Sequence, residues 1–203
     1  MRPMTIIGAG VVTALALATP AVATAADAPL MLASARVGLE GTSNIHAFTA
    51  STTDVRLVAV DVDALAPGEG IDRALHPGAL KAFDIVIPAA TLTSPKEGID
   101  KNMHKALKVQ EHANIRFRLR TLTPADGSTY QAAGTLTIAG VDKEITLSLQ
   151  VRNKGTTELA VTGATDVLMT DYGIAPPKAM MGMLRTNPKV RITLELLLGT
   201  PLS

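Results

Sequence analysis

The chain has 203 residues, with 19 Lys or Arg against 18 Asp or Glu, no cysteine, no tryptophan and 2% aromatic residues. Charge this close to zero argues against a nucleic-acid binder or a polybasic membrane-surface protein, and so few aromatics argue against a base-stacking platform. Without cysteine there is no disulfide framework, thiolate metal site or cysteine nucleophile, and the length suits one domain.

In chain order, the first segment is an expected export signal over residues 1–26. Arg2 supplies a positive start, Ile6 to Ala18 is a short uncharged apolar run, and Pro20 ends it. Ala21-Val22-Ala23 and Ala23-Thr24-Ala25 both offer small-x-small cleavage patterns. The run is short for a membrane-spanning helix, which needs about 20 residues. Gly8-Ala9-Gly10 follows no strand and is not a dinucleotide loop. Cleavage would remove only Arg2 among the charged residues and leave 18 bases against 18 acids in a single domain over 27–203. Periplasmic or secreted location is the expectation, with no stable membrane insertion after cleavage.

The remainder alternates apolar and polar residues, the mark of strands with one dry and one wet face. The strictest segments are 115–120, 144–152 and 189–196; weaker ones cover 55–63, 82–88, 130–138 and 157–169. Ala66 to Gly70, Pro124 to Ser128, Gly140 to Lys143 and Asn153 to Gly155 read as turns, the Gly140 one tight enough for a hairpin. Ile99, Met103, Ala106 and Leu107 have helical spacing instead, with Asp100 as a plausible N-cap after Gly98. These elements predict an all-β fold of about eight antiparallel strands and one short helix. A sandwich would fit, but a barrel leaves no open edges.

Four segments carry a family resemblance. Ile99 to Lys108 followed by Glu111-His112-Ala113-Asn114-Ile115-Arg116-Phe117 resembles the helix-then-strand signature of YceI-like proteins, with Ala113 where proline is usual. Gly41 to Phe48 is similar to the family's opening motif, and Gly134 to Val141 to its hairpin. Thr170 to Ile174 with Pro176-Pro177 and Met180-Met181-Gly182 resembles a later segment. The resemblance spans about 30 to 200. It implies an exported lipocalin-like β-barrel that holds a polyisoprenoid or isoprenoid quinone, with no covalent cofactor. The implied partner is this apolar lipid, with homodimerisation left open.

An apolar tail binds by leaving water, about 0.8 kcal/mol per buried CH₂, so one isoprene unit contributes roughly 3 kcal/mol gross before ordering costs. The lumen candidates are Ile115, Phe117, Leu119, Leu136, Ile138, Ile145, Leu147 and Leu149 on the alternating strands, with Met169, Tyr172, Ile174, Met180 and Met181 late in the chain. Small residues at Ala132, Gly134 and Gly163 are expected to leave room for a tail. The methionines can repack around ligands of different shape, though filling gaps in a core is their ordinary use. Tyr172 is the better candidate for a polar contact, because a buried hydroxyl needs a partner.

No catalytic or metal residues are assigned. His104 and Asp100 are four apart on one helix and Glu111-His112 follows, but there is no H-E-x-x-H, and Lys101, Lys105 and Lys108 oppose a cation. His46 and His76 stand apart from these. Asp166 and Asp171 would face opposite ways on a strand, and the stripe Arg116, Arg118, Arg120 reads as a wet face rather than an anion site. Two alternatives to a lipid carrier remain: a stress-protective or structural barrel with a filled core, and a small-molecule isomerase or hydrolase with a histidine and a carboxylate in the lumen.

Overall fold

The computed structural model describes residues 30–63, 69–96, 98–179 and 183–200. The expected export signal lies outside the described residues, as do Met180 and Met181. The strands are β1 (Met31–Ser43), β2 (Ala47–Thr52), β3 (Arg56–Val62), β4 (Leu80–Pro88), β5 (Asn114–Pro124), β6 (Thr129–Ile138), β7 (Val141–Lys154), β8 (Glu158–Leu168), β9 (Lys178–Ala179) and β10 (Leu184–Gly199). The one α-helix among the described residues, α1 (Ile99–Ala106), falls between β4 and β5. Every segment that alternates in the sequence is a strand.

Nine strands form one antiparallel, strongly curled sheet in the order β2-β1-β10-β8-β7-β6-β5-β4-β3, with β9 paired to β10 beside it. Consecutive strands from β3 to β8 are neighbours, and β10 is laid between β8 and β1. The fold is therefore all-β with one short helix, as expected. No ladder joins the two edge strands, β2 and β3, among the described residues. Beside β2 the chain after β4 covers the edge: Ser51 and Thr93 form a bridge, and the Thr52 and Thr91 hydroxyls lie 2.8 Å apart. A covered edge is no template for pairing with another chain.

The inner face of the sheet carries the core. Phe83 and Ile85 on β4, Phe117 on β5, Leu147 and Leu149 on β7, and Leu196 and Leu198 on β10 are all buried. A 3-10 turn at Ile71–Leu75 brings buried Ile71 and Ala74 into the same core. It is held beside the β7–β8 turn by the Ile71 amide, which donates to the Thr156 carbonyl at 3.0 Å.

The outer face is polar and cross-linked by charge. Arg116 meets Asp84 at 2.5 Å, Arg118 meets Asp142 at 3.3 Å and Arg120 meets Glu144 at 2.7 Å. The arginine stripe is thus matched by carboxylates from strands on both sides of β5. On β8 and β10, the hydrogen bond from Lys189 holds the Asp166 carboxyl below the usual carboxylate range.

Two local features differ from the sequence reading. The β6–β7 hairpin turns at Ala139-Gly140, one residue before the expected stretch, with φ of 49° and 78°. Two positive values mark the turn whose twist suits a two-residue hairpin. Asp100 does not cap α1. Gly98 is the N-cap, in the left-handed region at φ 79°, while Asp100 Oδ1 accepts from the Ser94 amide at 2.7 Å and secures the approach to the helix.

Candidate functional site

The curl of the sheet encloses a cavity of about 450 Å³ at one end. This is within the roughly 300–1,000 Å³ of small-molecule sites. Its deep wall is buried and apolar: Val37, Ile87, Leu92, Leu107, Leu136 and Ile138. Its outer wall contains exposed or half-buried groups: Ser43 and His46 from the β1–β2 hairpin, Asn102 from α1, and Lys178 and Thr186 from β9 and β10. The cavity therefore opens at the rim formed by the β1–β2 hairpin, the start of α1 and the β9–β10 pair. At the opposite end the core is packed shut under the Ile71–Leu75 turn.

Helix α1 forms one side of this cavity. Ile99, Met103 and Ala106 all line it, and none of the helix's residues is fully buried. An amphipathic helix ordinarily buries its apolar stripe against a core. Here Met103 and Ala106 pack against the core but stay half-buried, so an apolar occupant would complete the burial of that stripe. His104 anchors the helix from the side, its Nε2 lying 2.8 Å from the Leu92 carbonyl oxygen.

Five of the expected lumen residues line the cavity: Ile115, Leu136, Ile138, Met169 and Ile174. The 3-10 turn Met169–Tyr172 and Gly173, at φ 65°, bend the chain after β8 so that Met169 and Ile174 both reach it. Phe117, Leu147, Leu149 and Tyr172 are instead buried in the closed core, and Leu119 and Ile145 pack against that core half-buried. Tyr172 is 2% exposed and its hydroxyl has no hydrogen-bond partner among the described residues; burial, with a smaller effect of Asp171, pushes it up to about 12.

The small inward residues do not leave the expected room. The Phe117 ring occupies the space over Gly134, and a Leu149 methyl fills the space over Gly163. Large side chains on neighbouring strands have used the gaps, which is how that half of the sheet closes. The open half is walled by residues the sequence reading passed over: Leu39 of β1, Phe48 of β2 and Val190 and Ile192 of β10, together with the apolar face of α1. Val190 and Ile192 belong to a strictly alternating segment, and that alternation was the signal available for them.

The polar lining is small. Among the described residues His46 is the one histidine at the cavity, and no Asp or Glu lines it. His76 is exposed, and the His112 ring packs over Gly140. No cluster of three or more His, Asp or Glu with metal-site geometry occurs among the described residues. No helix of the described residues is long and apolar enough to cross a membrane.

The sequence model of the YceI-like domain matches residues 33–198. A search of curated proteins finds no match. Among solved structures, Burkholderia cenocepacia BcnA aligns with a TM-score of 0.64 at 13% identity, over 80% of this chain and 95% of that one. A polyisoprenoid binding domain from Saccharophagus degradans, implicated in plant cell wall breakdown, aligns at 0.63 and 12% identity, over 86% and 99%. The Campylobacter jejuni YceI protein aligns at 0.56 and 16% identity, over 80% and 85%. At such identities these likenesses establish a shared fold.

Proposed function

The chain belongs to the YceI-like domain family, and from that premise we propose that it is an exported, non-catalytic carrier that holds a polyisoprenoid or an isoprenoid quinone in the cavity of its curled sheet. The observation that carries this reading is the cavity itself, buried and aliphatic at depth, open at a rim, and bounded by a helix whose apolar face is only half-buried against the core. Burying about 0.8 kcal/mol of tail per CH₂ needs such a lining and little else. Support for the ligand class comes from the fold shared with a domain described as polyisoprenoid binding. Export rests on the character of residues 1–26.

A filled-core structural role would need the whole interior closed, and only one end is. An enzyme would need a base with a carboxylate or other orienting group at the reacting atoms; His46 stands at the rim with no carboxylate in the lining. The test is native mass spectrometry of the protein purified from its host's periplasm, followed by organic extraction. A bound species with isoprene-repeat mass is the expected result. A protein that is empty and also takes up neither added polyprenol nor added quinone would overturn the reading.

A further inference from the structure

A lipid tail that fills this cavity spends its free life in a membrane, so the rim is where protein and bilayer would meet. Two loops meet there. Ile45 in the β1–β2 hairpin is 61% exposed and Met183, next to the start of β10, is 66% exposed. They are the two most exposed large apolar side chains among the described residues, and each adjoins a residue that lines the cavity, His46 and Leu184. Asn44 ties these loops together: its Nδ2 donates to the Met183 carbonyl at 2.8 Å, and its Oδ1 accepts from the Arg185 amide at 2.8 Å. The pair is thus held in place rather than displayed on independent loops.

Among the described residues, the one charged side chain that lines the mouth is basic. Lys178 lines the mouth beside His46, and Lys96 reaches the β1–β2 hairpin, its Nζ donating to the Ala47 carbonyl at 3.4 Å. Asp100, at the start of α1, is turned to the Ser94 amide. The chain as a whole is close to neutral, so the two lysines at this rim are a local arrangement and not a by-product of composition. Exposed apolar groups with lysines beside them are the composition of a surface that rests in the headgroup region of an anionic bilayer.

We propose that this rim is a membrane-docking surface. Ile45 and Met183 enter the interface of an anionic bilayer, Lys96 and Lys178 lie against its headgroups, and the cavity mouth faces the membrane from which the ligand is drawn. The binding is interfacial and reversible, with no segment spanning the bilayer. It rests on the reading of the cavity as a lipid site, and the experiment separates the two.

The full chain, freed of any signal, is floated with vesicles of phosphatidylcholine alone or containing 30% phosphatidylglycerol. Uptake of a fluorescent polyprenol is measured in parallel from detergent micelles and from vesicles. Wild type should prefer the anionic vesicles at least fivefold and lose that preference in high salt. Ile45→Ser with Met183→Ser should weaken flotation several-fold, as should Lys96→Glu, since one lysine beside an anionic surface is worth about fivefold. These variants should slow uptake from vesicles and leave uptake from micelles unchanged. Met31→Ser, an exposed apolar residue at the far end of β1, should change nothing. Absent flotation with intact micellar uptake would overturn docking alone. Equal loss in the Met31 variant would overturn the assignment to this rim, and failed uptake from both sources would overturn the carrier reading beneath it.

Discussion

Phe117 lays its ring over Gly134 of the next strand, so that a Cβ at 134 would collide with both the ring and the Arg118 carbonyl. This contact forms part of the packing that closes one end of the sheet. Gly134→Ala should cost about 1–3 kcal/mol through overpacking, and Phe117→Ala about 3–5 kcal/mol through the void it leaves. Phe117→Ala relieves the collision with the ring but not the one with the Arg118 carbonyl, so the double variant should cost somewhat less than the sum. Urea denaturation of the three proteins measures this, and strict additivity would refute the shared contact.

The cavity gives an opposite expectation at Ala106. This residue is half-buried on α1 and faces open space, so a larger apolar side chain has somewhere to go. Ala106→Phe should leave thermal stability unchanged or raised, in contrast to overpacking in a filled core. It should weaken binding of an apolar fluorescent probe by roughly tenfold, the loss of about 1.4 kcal/mol of contact. A destabilised protein with undiminished probe binding would show that the space is not where the ligand lies.

Tyr172 ties stability to alkaline pH. Burial, and secondarily Asp171, pushes its hydroxyl up to about 12 from 10.0. The folded state keeps the proton that the unfolded state gives up first. The stabilisation is therefore complete below pH 10 and is lost as pH climbs from 10 to 12, by about 2–3 kcal/mol. Tyr172→Phe should remove that slope. At neutral pH it should gain about 1 kcal/mol, since a buried hydroxyl without a partner costs its desolvation. Denaturation midpoints at pH 7 and across pH 9.5–11.5 test both statements.

The arginine stripe separates by exposure. In the Arg116–Asp84 pair the side chains are 43% and 13% exposed, against 66% and 57% for Arg120 and Glu144. Arg120→Ala should change stability by no more than about 0.5 kcal/mol, as for most solvated pairs. Arg116→Ala leaves a mostly buried carboxylate without its cation and should cost about 1–3 kcal/mol. Chemical denaturation at low and high salt compares them, with Arg120 the more salt-sensitive.

Much of this architecture can be read from alternation alone. Seven of the strands announce themselves because one face is dry and the other wet along their length, and α1 because its apolar spacing differs. β1 and β2 do not. β1 shifts register near both ends, between Leu32 and Ser34 and between Gly41 and Ser43, and Gly38 and Gly41 leave gaps in its pattern. β2 is a short edge strand of small and polar residues around Phe48. Since those two strands supply part of the open wall, the candidate site was less legible than the fold. The sequence also shows which residues face inward but not how far each reaches. Phe117 and Leu149 point to the interior as expected, yet they fill their end of it, while Val190 and Ile192 on an equally regular strand border the space that remains.

The placement of β10 bears on how the molecule comes together. Its partners on one side, such as Val37 opposite Leu194, are separated from it by roughly 150 residues of chain, a closure with a large entropic cost. Until that final long strand inserts between β8 and β1, both of those strands present a bare row of amides and carbonyls, and the cavity lacks a wall. Because β10 pairs with both β8 and β1 while lining the cavity through Val190 and Ile192, an apolar molecule held against those two side chains would act as a clasp on the strand that joins the two ends of the chain.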